Sequence, residues 1–166
     1  MRTAEIRFRR EDVRRPVRAE RGSNAGGGKT GGHRVLIVDD EDSIRLICRI
    51  NFTVSGWECL EAVDGEEALE QIRLEQPDIV LLDVMMPKLD GWSVAERLAD
   101  GSSGVPIVFL TARAEQRDRE RANKLGAVGY LTKPLDPVRL PDVVAEILQR
   151  LERGERELLR AEVLDA

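Results

Sequence analysis

Three features of the sequence predict a doubly wound α/β fold, a parallel five-stranded sheet covered by helices on both faces. Apolar runs alternate with amphipathic stretches five times within residues 34–152. Successive runs lie about 20–27 residues apart, which leaves room for a helix and a right-handed crossover between parallel strands. The main runs are continuously apolar rather than alternating, as expected of strands buried on both faces of a three-layer domain.

Each element can be read in turn. Residues 34–39 (RVLIVD) form the first strand and end in acid. Residues 42–54 place apolar side chains at helical spacing, and residues 57–60 make a short second strand. Asp64 and Gly65 open a helix to about Glu75, with Ala68, Leu69 and Ile72 as its apolar stripe. Residues 78–83 (DIVLLD) are a third run ending in acid. Residues 91–100 follow as a helix with Val94, Ala95 and Leu98 inward. Residues 105–111 (VPIVFLT) are the fourth strand, 114–125 a charged helix ended by Gly126, and 128–132 the fifth strand. Helix resumes after Asp136. Its main body starts near Leu140 and Pro141, because a proline deeper inside would break it. Val144, Ile147, Leu148 and Leu151 face the sheet. Gly154 weakens the pattern, and Leu158, Leu159 and Val163 resume it. That final stretch, 153–166, reads either as a frayed helical tail or as a dimer or partner helix.

Composition narrows the function classes. Charged residues are 34% and hydrophobic ones 42%, an ordinary globular balance. No apolar run reaches the roughly 20 residues that cross a bilayer, and no apolar segment follows the arginine-rich start as in a secretory signal. Cys48 and Cys59, both inside apolar-patterned segments, read as buried free thiols of a cytoplasmic protein. With His33 the single histidine, a His-rich metal site or a Ser–His–Asp triad has almost no material. The net charge of −5 hides an asymmetry. Residues 1–33 hold nine basic against four acidic side chains; the remainder holds 17 against 27. The first 33 residues form a basic arm that runs into a glycine-rich linker at 22–32 and reads as disordered. Gly28-Lys29-Thr30 lacks the earlier glycine and the preceding strand of a phosphate loop, so a plain linker is favoured. Arginines in the arm could grip nucleic acid through phosphates, but DNA binding is not expected.

The chemistry belongs at the carboxyl ends of the strands, where open α/β sheets bind ligands. Those ends carry Asp39 and Asp40, then Asp83, then Thr111, then Lys133. Helix capping explains Asp40 or Asp64 singly, but not acids at two strand ends with lysine at a third. Clustered carboxylates with room left for water and phosphate suit Mg²⁺ better than a closed zinc site. One of them can attack phosphorus to give an aspartyl phosphate. The hydroxyl and the ammonium would then meet the phosphoryl oxygens.

Four blocks carry a resemblance: VLIVDDEDSIR at 35–45, IVLLDVMMPKLDGW at 79–92, VPIVFLTA at 105–112 and GAVGYLTKP at 126–134. In order and separation they resemble the receiver domain of two-component response regulators, over residues 34–152. The resemblance implies the flavodoxin-like, CheY-like strand order 2-1-3-4-5. It implies Asp83 as phosphoacceptor. Mg²⁺ would be held by Asp40, Asp83 and the Met85 carbonyl, with Asp39 assisting through water. Thr111 and Lys133 would bind phosphoryl oxygens, Thr111 and Tyr130 would form the switch, and Pro134 would be the cis-bonded proline. Asp90 and Gly91 close the loop after Asp83, where glycine supplies a tight turn. Leu135 departs from the family's usual phenylalanine, and Met85 and Arg113 fall at positions that tune phosphate lifetime.

The expected function is a phosphoacceptor that signals by protein contact and does not act on a separate metabolite. Its partners would be a sensor histidine kinase or histidine phosphotransferase, and a downstream protein met through the fourth helix, fifth strand and fifth helix. Ser43, Ile44, Leu46, Ile47, Ile50, Pro134 and Leu135 are the expected docking residues. On the first helix, Ile44, Ile47, Cys48 and Phe52 form the core stripe, interrupted by Asn51, while Leu46, Ile50 and Val54 form an outward row. The few residues after the receiver suggest a stand-alone module, and a homodimer is left open. A haloacid-dehalogenase-type phosphatase is disfavoured because its second aspartate is Met85 here. A constitutive adaptor that has lost phosphorylation is the remaining alternative.

Overall fold

The computed structural model describes residues 32–165 apart from 102 and 114. The readings of the basic arm up to residue 31, the phosphate-loop-like stretch included, lie outside the described residues. Five parallel strands form one sheet in the order β2-β1-β3-β4-β5. They are β1 (Arg34–Val38), β2 (Glu58–Ala62), β3 (Ile79–Asp83), β4 (Ile107–Thr111) and β5 (Gly129–Thr132). The helices are α1 (Asp42–Val54), α2 (Gly65–Glu75), α3 (Gly91–Asp100), α4 (Gln116–Lys124), α5 (Leu140–Glu152) and α6 (Arg156–Asp165). The second and fourth strands begin later than the apolar pattern suggested. Trp57 lies outside β2, packed edge-on against Phe52, and Pro106 spends its carbonyl on the amide of Val80.

The continuous runs are explained by two separate cores. Val35, Ile37, Leu81, Val108 and Leu110 point into one with α1 and α5, and Leu36, Val38, Val80, Leu82 and Phe109 into the other with α2, α3 and α4. Every one of these side chains is sealed from water. Each such burial stabilises the fold by about 1.5–3 kcal/mol against exposure.

Side-chain caps start α2 and α3. The Asp64 carboxylate accepts from the amides of Glu66 and Glu67, and that of Asp90 from Ser93. Asp136 caps a separate turn, accepting from Val138, and α5 then begins at Leu140 with proline in its first turn. Gly91 is needed for space rather than for an unusual dihedral. A Cβ there would lie 2.3 Å from the Asp83 carbonyl oxygen. The turn explanation is replaced by close approach of α3 to the end of β3.

Three expectations are corrected. Ile47 is not core: it is 43% exposed, and Arg45 takes the buried position on that stripe beside Cys48 and Phe52. Cys59 is only partly buried, while Cys48 is fully so. The C-terminal stretch is neither frayed nor free. It forms α6, which folds back after Gly154 (φ +81°) and buries Leu159 and Val163 against its own domain. Leu46, Ile50 and Val54 are exposed as expected.

Candidate functional site

Three strand ends converge at the carboxyl edge of the sheet. Asp39 follows β1 directly and is 1% exposed. One of its carboxylate oxygens accepts the amide of Glu41 at 2.9 Å, which turns the chain into α1. Asp83 closes the adjacent β3 and is 4% exposed, whereas Asp40 is open to solvent. One carboxylate oxygen from each of Asp39, Asp40 and Asp83 lies within 4.8 Å of the others. The Lys133 ammonium spans the two buried acids, 2.8 Å from Asp39 Oδ2 and 3.4 Å from Asp83 Oδ1.

The electrostatics follow from that crowding. Burial raises the Asp83 carboxyl to about pH 6 and the Asp39 charge adds to the rise; Lys133 and the Met85 amide oppose it. Burial alone would lower Lys133, but its hydrogen bond to Asp39 and the charges of both acids outweigh this and raise it. Burial, with Asp39 nearby, lifts the Cys48 thiol to about 11, so it stays a protonated, inert thiol.

The rest of the crevice is set by sheet register. Leu110 pairs with Asp83, so Thr111 comes one step beyond it at the same edge, fully buried. Its hydroxyl accepts the Arg113 amide at 3.0 Å, and its carbonyl accepts the Lys133 amide at 2.7 Å. Tyr130 lies inward on β5, 4% exposed, and its hydroxyl donates to the Arg113 carbonyl at 2.9 Å. The Lys133–Pro134 peptide bond is cis. Beside the acids a cleft opens between Asp40, Met85, Pro87, Arg113 and Asp118.

Comparison with known proteins matches this arrangement to one family. A model of the response regulator receiver domain fits residues 35–145, about two thirds of the chain. The chain belongs to that family. The receiver is 44% identical over 119 residues to the probable transcriptional regulator ycf27 of Cyanophora paradoxa, covering 72% of this chain and 49% of that one. It is 43% identical over 119 residues to the alkaline phosphatase synthesis transcriptional regulatory protein PhoP of Bacillus subtilis, covering 72% and 50%. The chain thus spans about half the length of these curated relatives. Among solved structures, the chemotaxis protein CheY4 of Vibrio cholerae superposes with TM-score 0.66 at 29% identity, over 70% of this chain and 99% of that one. The Francisella response regulator 1452 receiver domain does so with TM-score 0.68 at 31% identity, over 72% and 99%.

The receiver gathers most of the residues singled out from sequence. Asp39, Asp40, Asp83 and Lys133 form one cluster, the Met85 amide donates a hydrogen bond to Asp83, and Thr111 ends the neighbouring strand. The Met85 side chain is exposed. The expected docking residues divide. Ile44, Ile47, Pro134 and Leu135 line one apolar depression that Lys133 also borders. Leu46 and Ile50 stand exposed elsewhere on α1, and Ser43 donates to Glu41 at 2.6 Å. Sequence reasoning missed Arg45. Buried under the site, it donates to the Asp39 carbonyl at 2.7 Å and pairs with Asp42. The available signal was a cation on the stripe of Cys48 and Phe52, where a buried charge needs partners.

Proposed function

We propose that this receiver is a phosphoacceptor of a two-component phosphorelay. The supporting observation is the group of three carboxylates with one lysine between the two buried ones. In this reading a carboxylate oxygen of Asp83 bonds to phosphorus as the N–P bond of a phosphohistidine breaks. The freed imidazole, on a sensor histidine kinase or histidine phosphotransferase, keeps the electron pair and takes a proton. The donor set of hard oxygens, free of thiol or imidazole, fits Mg²⁺, with Asp39, Asp40 and Asp83 to hold it. Bound there, Mg²⁺ would supply neutralisation of the charge on the transferring group. Lys133 meets a phosphoryl oxygen as a point charge and Thr111 offers a hydroxyl. The protein helps only its own phosphorylation and hydrolysis, works in the cytoplasm and passes the signal on by protein contact.

The test is incubation of the full chain with acetyl phosphate and Mg²⁺, read by intact mass. The wild type gains one phosphoryl group and Asp83→Asn gains none while keeping its circular dichroism. Equal modification of the variant would assign the acceptor elsewhere. No labelling of the wild type by acetyl phosphate or by any histidine kinase would favour a constitutive adaptor.

A further inference from the structure

The edge of the sheet at β5 is not open. Helix α6 lies across it and sends one side chain into each core. Leu159 packs in the core of Val128, Val144, Ile147 and Leu148, and Val163 in the core of Phe109, Ala122, Ala127 and Tyr130. Two polar clamps hold it. From α5, Arg150 grips both carboxylate oxygens of Glu162 at 2.7 and 2.8 Å and reaches Glu155 at 2.9 Å. From α4, Asn123 donates to the Arg160 carbonyl and receives the Arg160 guanidinium in return. The surface expected to meet downstream proteins therefore already has an occupant.

The seat also has the marks of a binding groove. Only Leu159 and Val163 of α6 are buried. A cavity of about 70 Å³ remains beneath it, walled by Gly129, Tyr130, Val143 and Ile147 as well as by those two side chains. The helix is joined by a short turn in which Gly154 holds φ +81°, a conformation glycine adopts freely and a change of which reorients the whole helix. The interaction is that of an amphipathic helix laid in an apolar groove, with a charged anchor at one side.

We propose that α6 is a tethered ligand of the α4–β5–α5 groove. It keeps that face closed to other proteins until it swings out at Gly154. A protein helix that replaces it presents the same pattern, aliphatic residues at i and i+4 with an acid at i+3, as Leu159, Val163 and Glu162 do. This inference rests on packing alone and does not require Asp83 to be phosphorylated.

The experiment uses the unphosphorylated full chain and, as probe, a synthetic peptide of residues 153–166. A short tether acts at millimolar effective concentration, so an occupied groove lowers the apparent affinity for the free peptide. Two open variants are compared with wild type by amide NMR: Leu159→Glu with Val163→Glu, and Glu155→Arg with Glu162→Arg. The second pair leaves Leu159 and Val163 in place and removes the clamp to Arg150, together with the weaker pair of Glu155 and Arg153 at 3.8 Å. In each variant the amides of Gly129, Tyr130, Leu131, Val143 and Ile147 shift. Added peptide returns them toward their wild-type positions, binding at least about tenfold tighter than to wild type. If those amides stay in place in the charge-reversed variant, or if the peptide binds the variants no better than wild type, α6 is a fixed cover of the sheet edge and the proposal falls.

Discussion

Two apolar surfaces of this receiver carry similar helical patterns and meet different fates. On α1, Leu46, Ile50 and Val54 repeat every four residues and remain exposed at 47%, 51% and 84%. On α6, Leu159 and Val163 repeat with the same spacing and are buried at 3% and 2%. What separates them is the surface opposite. The α6 row faces the edge strand β5, whose flank leaves two apolar cores to be closed. The α1 row faces away from a sheet that Cys48 and Phe52 already cover. Periodicity reports which residues share a side of a helix, and the partner decides whether that side is buried.

That contrast can be broken by substitution. The largest effect is expected at the covered row. Leu159→Ala should weaken docking of α6 by about 2 kcal/mol or more, as for other buried leucines, whereas Leu46→Ala should change stability by less than about 0.5 kcal/mol. Hydrogen exchange of α6 amides, with chemical denaturation of both variants, measures the difference. Equal losses would mean that the two rows are alike.

A sharper version asks what the open row does. Leu46→Glu with Ile50→Glu should cut phosphotransfer from a cognate histidine kinase by roughly tenfold or more, as when central contacts of an interface are lost. Labelling by acetyl phosphate should persist at wild-type rate. Parallel loss of both would place the row in the structural core.

At the acid cluster pH is the lever. The folded Asp83 carboxyl titrates near 6 against an ordinary 3.8, chiefly through burial. The folded protein thus keeps this proton to a higher pH than the unfolded chain does. The resulting stability is fully present below about pH 4 and lost as pH rises through 6. In metal-free protein Asp83→Asn should remove that loss, so its melting temperature relative to wild type should rise between pH 4 and 7. Protons also compete for the site, so Mg²⁺ affinity measured by calorimetry should fall roughly tenfold for each unit below pH 6.

The smallest effect joins the acids to the covered face. Thr111→Ala removes the hydroxyl that accepts from Arg113, whose carbonyl anchors Tyr130. The variant should still be phosphorylated at Asp83. Beryllofluoride, a phosphoryl mimic, should then shift the amides of residues 115–135 less than in wild type. Undiminished shifts would exclude this route.

The fold was legible because β1, β3 and β4 are uninterrupted apolar runs, which only a sheet covered on both faces requires. The site was legible for a related reason: an apolar strand that stops on aspartate, as β3 does at Asp83, reveals where the interior ends. What escaped reading depends on particular partners rather than on apolar pattern. Arg45 is buried because the Asp39 carbonyl and the Asp42 carboxylate receive it. Ile47, two residues further along and hence on another side of α1, is left 43% exposed beside Ile44, Pro134 and Leu135. The docking of α6 depends on Asn123 and Arg150, each on another helix.

Arg45 also acts as a mechanical fixture. It grows from α1, and its guanidinium holds the backbone oxygen of Asp39. The turn of residues 39–41 that joins β1 to α1, and that carries Asp39 and Asp40 of the acid cluster, is thereby pinned to the helix. A shift of α1 is therefore carried to the Asp39 backbone through a buried side chain rather than through the turn alone.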